Sequence, residues 1–158
     1  MVKKKTVTRT TIGWREWIRL PELCETPIKV KVDTGAQTSA LHAFRLRIQG
    51  DPGSQVATFV MHPHQRTIRD SVSVTTDIIG FRKVRSSNGK IERRPVIRVD
   101  AILGDVAFPI ELTLTRRDEM GFRMLLGRSA VSRRFVIDPA RSYVTGRITS
   151  ERGEEGPS

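Results

Sequence analysis

From Ile12 onward, apolar and polar positions alternate in short runs separated by Gly-, Pro- and Asn-containing breaks. A period of two is the pattern of β-strands. Ile12 to Leu20 reads as a strand that carries Trp14 and Trp17 and stops at Pro21. Pro27-Ile28-Lys29-Val30-Lys31-Val32 alternates apolar and basic, then breaks off at Asp33-Thr34-Gly35. Phe44-Arg45-Leu46-Arg47-Ile48 alternates again up to the turn signal Gln49-Gly50-Asp51-Pro52-Gly53. Val56 to Met61 is a short apolar strand ended by His62-Pro63-His64, and Thr67 to Thr76 fits either a strand or a loop.

The second half repeats the pattern. Arg82-Lys83-Val84-Arg85 and Lys90-Ile91-Glu92-Arg93 flank Ser86-Ser87-Asn88-Gly89, and Asn-Gly between strand-like arms predicts a hairpin. Pro95 to Ala101 continues as a strand, Gly104-Asp105 turns the chain, and Val106 to Leu114 returns. Met124-Leu125-Leu126 is wholly apolar and reads as a buried strand. Ser129 is expected to cap a short helix running to Arg134. Phe135 to Pro139 and Ser142 to Val144 are the last expected strands. The fold class is therefore all-β with one short C-terminal helix. Residues 1–10 are expected to be a basic flexible arm, 11–149 one domain, and 150–158 a disordered tail.

Composition narrows the partners. The net charge of +11 on 158 residues points toward nucleic acid, an anionic surface or an acidic substrate. The single cysteine, Cys24, forbids an internal disulfide and suits a reducing compartment. No apolar run approaches membrane length, and no secretory signal is recognisable, so a soluble, cytoplasmic protein without a membrane partner is expected.

The chemistry centres on Asp33-Thr34-Gly35, which sets a carboxylate on a tight loop just after a strand. Gly35 permits a turn that a Cβ would resist. Two such loops face to face would give two carboxylates sharing one proton and one water, the device of an aspartic peptidase. The chain is too short for a two-lobed enzyme, so one loop per chain implies a C2 homodimer.

Three ordered blocks carry a more specific resemblance. Val32-Asp33-Thr34-Gly35-Ala36-Gln37-Thr38-Ser39-Ala40-Leu41-His42-Ala43 resembles the signature of the retropepsin-like bacterial family often labelled ATP-dependent zinc proteases. Val84-Arg85-Ser86-Ser87-Asn88-Gly89 with Glu92, Arg94 and Pro95 is the second block, and Met124-Leu125-Leu126-Gly127-Arg128 is the third. The resemblance spans Ile12 to Val144 and implies a closed retropepsin-like β-barrel or sandwich. It further implies that Asp33 is catalytic, that Thr34 bonds across the dyad, and that the Gly35 N–H cradles the carboxylate. Ala36, Arg85, Ser86, Ser87, Asn88, Gly89 and Arg94 are then the expected substrate-binding residues, with Ser86–Gly89 as a flap. Viral retropepsins place an acid where this chain has Gln37, so Arg128 is expected to find another acceptor, a backbone carbonyl or Asp138.

Neither half of that label fits the residues. No His-Glu-x-x-His or cysteine pair of zinc spacing occurs, and His62-Pro63-His64 is better read as a solvated loop. The phosphate-binding Gly-x-x-x-x-Gly-Lys-Ser/Thr pattern is missing too. No metal and no cofactor is expected.

Between Phe81 and Val99 stand seven basic residues (Arg82, Lys83, Arg85, Lys90, Arg93, Arg94, Arg98) and one acid, Glu92. Arginine suits carboxylate recognition through its bidentate geometry. The resembled family is associated with ligases that add glutamates to a ribosomal protein tail, so the expected substrate is an acidic or poly-α-glutamate peptide. Blander readings stand beside these. The competitor to a catalytic Asp33, the favoured reading, is a turn-capping aspartate in a binding domain that kept the fold but not the activity. Asn88-Gly89 also fits an ordinary surface hairpin, and for Arg128 a structural role is the favoured reading. An inactive dimeric scaffold is a third reading of the whole chain. A basic RNA- or ribosome-binding module is the alternative function, with non-specific nucleic-acid affinity following from charge alone.

Overall fold

The computed structural model describes residues 9–86, 88–116 and 121–146. Most of the expected arm, the expected tail and Ser87 lie outside the described residues. The strands are β1 (Thr10–Gly13), β2 (Arg15–Ile18), β3 (Ile28–Asp33), β4 (Ser39–His42), β5 (Phe44–Gln49), β6 (Val56–Met61), β7 (Val72–Asp77), β8 (Gly80–Arg85), β9 (Ile91–Leu103), β10 (Val106–Thr115), β11 (Met124–Gly127) and β12 (Phe135–Asp138). One helical turn, α1 (Arg128–Val131), follows β11.

Three sheets share one core. Seven strands run in the order β2-β3-β11-β4-β10-β9-β8, three form β5-β6-β7, and β1 pairs with β12 alone. Ile28, Leu41, Phe59, Met61, Leu103, Leu112 and Met124 are buried at the centre. Burial of such side chains contributes about 1.5–3 kcal/mol each, which is what holds short strands together.

The expected closed barrel is not formed. The seven-stranded sheet curls until Arg19 bridges Ile102 of β9. That one bridge does not seal it, and β2 and β8 remain its edges.

Local differences from the sequence reading have identifiable causes. The single strand expected over Ile12 to Leu20 breaks at Trp14. A Cβ on Gly13 would sit 2.2 Å from the Arg141 carbonyl oxygen, and the Trp14 N–H donates to that oxygen at 2.9 Å. Glu16 is fully buried, yet its carboxylate accepts from Gly13 N (2.6 Å), Val144 N (2.8 Å), Thr145 N (3.3 Å) and Thr145 Oγ1 (2.9 Å). Glu16 thus takes the Val144 amide that a strand at Ser142 to Val144 would need, and Tyr143 turns through a φ of 53°. That expected strand is therefore absent. The helix is also shorter than expected. Its cap position is Gly127 rather than Ser129, and Arg133, with φ 71°, turns the chain out before Arg134.

Ser39–His42 was not expected as a strand, because all four residues are buried and show no alternation. Thr67 to Thr76 divides in two: a loop, and then β7, which completes the three-stranded sheet.

Candidate active site

Asp33 ends β3, and the chain returns as β4 after five intervening residues. The two strands do not pair with each other. β11 lies between them, parallel to β3 with Gly127 opposite Asp33, and antiparallel to β4 with Met124 opposite Leu41. The Asp33 loop must therefore cross the end of β11 at close range. Gly127 makes this crossing fit: a Cβ there would stand 2.5 Å from the Thr38 carbonyl carbon and oxygen. Its N–H donates to the Ser39 hydroxyl at 2.9 Å.

The start of α1 clasps the same loop. Arg128 N donates to Ala36 O at 2.7 Å, and Ser129 N to Gln37 O at 3.0 Å. The Arg128 guanidinium reaches back to Thr34 O at 2.9 Å. A backbone carbonyl was one of the two acceptors expected for Arg128, and it is the one used. Within the loop, Gly35 N donates to Asp33 Oδ1 at 3.1 Å and Ala36 N to Asp33 O at 3.2 Å. Asp33 is half-buried, while Thr34 and Gly35 are exposed beside it. An orienting amide fixes the carboxylate, and its open face can receive water, substrate or a second loop.

The expected substrate-binding residues fall into two groups. Ala36 belongs to the loop. Arg85, Ser86, Asn88, Gly89 and Arg94 belong to the β8–β9 hairpin, at the opposite edge of the sheet from β2 and β3. The hairpin tip is well organised. Ser86 Oγ bonds the Asn88 side-chain oxygen and donates to Lys90 O at 3.1 Å. Lys90 N donates to Asn88 Oδ1 at 3.1 Å, and Gly89 adopts a φ of 86°. Arg85 donates to Gly89 O at 3.4 Å. Arg94 is buried, its Nε 2.8 Å from Glu92 Oε1. Of the other hairpin cations, Arg82 pairs with Glu111 at 3.2 Å and Arg93 lies 4.0 Å over the Phe81 ring.

Ser39 has no sequence signal of its own that marks it as a support of the loop. Gly127 does, through its place in the apolar-Gly-Arg block.

His62 and His64 each have a polar side-chain partner. His64 Nε2 meets Asp70 Oδ2 at 2.7 Å, and His62 Nδ1 meets Ser71 Oγ at 2.6 Å. Burial holds the His62 imidazole below its ordinary value, and the Arg123 and Arg45 charges lower it further. Among the described residues, no three His, Cys, Asp or Glu side chains gather closely enough to hold an ion.

An Asp-Thr-Gly loop crossing an apolar-Gly-Arg strand and a short helix defines a retropepsin-like aspartic peptidase. The chain belongs to the RimB-like family, described as retropepsin-like aspartic endopeptidase RimB, whose model matches residues 11–148. It is 42% identical over 136 residues to a probable alpha-L-glutamate ligase of Shewanella halifaxensis, covering 86% of this chain and 30% of that protein. A second protein of that description, from Desulfotalea psychrophila, is 39% identical over 145 residues, covering 92% of this chain and 31% of the relative. The chain thus spans under a third of the length of these curated relatives. Among solved structures, Lpg0085 of Legionella pneumophila, a protein of unknown function (DUF785), superposes with a TM-score of 0.70 at 27% identity. That match covers 87% of this chain and 99% of the other.

Proposed function

We propose that two copies of this chain pair about a two-fold axis and hydrolyse peptide bonds with a water held between their Asp33 carboxylates. The observation that carries the reading is the clasped loop, in which one amide orients Asp33 and the Thr34–Gly35 face stays open. Two carboxylates about 3 Å apart share a single proton. The ionised one takes a proton from the water, and the protonated one hydrogen-bonds the scissile carbonyl. Water oxygen bonds to the carbonyl carbon, the C–N bond then breaks, and the leaving nitrogen takes up a proton. No covalent enzyme intermediate forms. The β8–β9 hairpin would close over the bound peptide and exclude water.

We take the substrate to be an acidic peptide, with poly-α-glutamate on a ribosomal protein tail as the sharpest case. The net charge of +11 and the likeness to proteins named as probable alpha-L-glutamate ligases support that choice. The same charge favours a second reading, a basic RNA- or ribosome-binding module.

One experiment separates them. Purified chain is incubated with oligo-α-glutamate and with a neutral peptide library, products are read by mass spectrometry, and RNA binding is followed in parallel. Asp33→Asn should lower hydrolysis by at least about a thousandfold and leave RNA binding unchanged, because it removes no cation. Hydrolysis that survives Asp33→Asn, or that comes from a protomer shown to be monomeric by sedimentation, would sink the dyad. Equal rates on acidic and neutral peptides would sink the substrate assignment.

A further inference from the structure

Beside the Asp33 loop lies a recess of about 550 Å³, lined by Gln37, Arg128, Ser129, Ser132, Arg133 and Arg134. Three arginines, two serines and a glutamine line it, and no acid is among the lining residues. Like charges brought together repel unless an anion joins them, so this lining suits a carboxylate.

The recess is continuous with the catalytic loop through its own walls. Gln37 stands four positions after Asp33. Arg128 spans the gap, one guanidinium nitrogen on Thr34 O at 2.9 Å and its main-chain N–H on Ala36 O at 2.7 Å. The three arginines are not equally available. Arg134 donates to Ala130 O at 3.2 Å and lies 4.7 Å over the Phe108 ring, so it is largely engaged. Arg128 keeps donors beyond the one given to Thr34. Arg133 is exposed and makes no hydrogen bond or ion pair among the described residues. Its left-handed backbone, φ 71°, sets it at the turn where the chain leaves α1. The hairpin presents a contrast: there Arg82 and Arg94 already hold Glu111 and Glu92.

We propose that this recess is a subsite for an acidic side chain of the bound peptide, read by Arg133 together with Arg128 and the Ser132 hydroxyl. The inference rests on the reading of the chain as a peptidase for acidic peptides. It moves recognition of the negative charge from the hairpin to the turn after α1. A guanidinium fork and a hydroxyl satisfy a carboxylate's lone pairs in a way a lysine could not.

The test separates binding from turnover. Asp33→Asn protein is titrated against fluorescein-labelled hexa-α-glutamate by anisotropy, with the oligomeric state followed by sedimentation. Adding Arg133→Ala should weaken binding about tenfold, the scale of one charge-assisted contact. Arg133→Glu should weaken it further. Arg47→Ala, which removes an exposed cation from β5 in another sheet, should change it less than about twofold. In chains that keep Asp33, Arg133→Ala should lower the kcat/KM ratio of acidic to neutral peptide about tenfold, chiefly through KM.

An Arg133→Ala chain that binds hexaglutamate normally, that loses acidic and neutral turnover alike, or that weakens only because it dissociates into protomers would overturn the subsite. Failure of hexaglutamate to bind the Asp33→Asn protein at all would overturn it too. Hydrolysis surviving Asp33→Asn would strike the dyad alone, since the anisotropy readout does not depend on it.

Discussion

The Asp33 loop and the β8–β9 hairpin are both turns between strands, yet they are built on opposite principles. The loop is held from outside itself. β11 and α1 meet it with main-chain bonds to Ala36 and Gln37, a side-chain bond to Thr34, and a Gly127 contact that leaves no room for a methyl group. The hairpin is held from inside. Ser86, Asn88 and Lys90 bond one another, and nothing lies within 4 Å of a Cβ placed on Gly89. The difference teaches where geometry is stored. The Asp33 carboxylate is clamped by a distant part of the sequence, whereas the hairpin tip carries only its own turn.

The comparison can be broken at its strongest point first. Gly127→Ala drives a Cβ into the Thr38 main chain, which cannot swing aside as a flexible side-chain tip would. A loss of about 1–3 kcal/mol in urea denaturation is expected, together with hydrolysis reduced far beyond the loss of folded protein. Wild-type stability would mean that the loop does not depend on this crossing.

Arg128→Ala tests the clasp without crowding it. The Thr34 carbonyl loses its donor, so kcat should fall about tenfold, with a stability change near 1 kcal/mol. A kcat equal to wild type would show that the main-chain bonds suffice.

Gly89→Ala is the matching change in the hairpin. Space is free, but the φ of 86° disfavours a side chain. The expected cost is about 1 kcal/mol, confined to faster amide exchange at Ser86 to Lys90. Faster exchange spreading to the Asp33 loop would contradict the separation of the two regions.

The smallest effect concerns pH and lies away from both turns. Folded His62 resists a proton that the unfolded chain accepts. Its contribution to stability is therefore complete above about pH 6.5, the ordinary histidine value, and is lost as pH falls through the lower folded value. A shallow fall in melting temperature from pH 7.5 toward 5.5 should be flattened by His62→Gln. An identical slope in the variant would assign the fall to other groups.

Much of the strand order could be read in the chain because alternation reports a surface with one wet face. Pro27 to Val32 and Phe44 to Ile48 were legible for that reason, Val56 to Met61 as a short apolar run, and the hairpin arms through the Asn-Gly between them. Ser39–His42 was not, since burial on both faces erases alternation. The strand expected at Ser142 to Val144 failed for another reason. The Val144 amide and that of Thr145 just beyond it are drawn to Glu16, well over a hundred residues away in sequence, and no local pattern announces a buried carboxylate.

By itself, the sequence determined the blocks and their order: Asp-Thr-Gly, the Asn-Gly hairpin and the apolar-Gly-Arg strand. Such motifs are local demands of backbone geometry and hydrophobic period. Only the tertiary structure decided that β11 would thread between β3 and β4, that Arg128 would hold Thr34 rather than Asp138, and that Arg133 would stand beside the Asp33 loop. Those outcomes depend on which strands pair, and pairing joins residues that no sequence window contains.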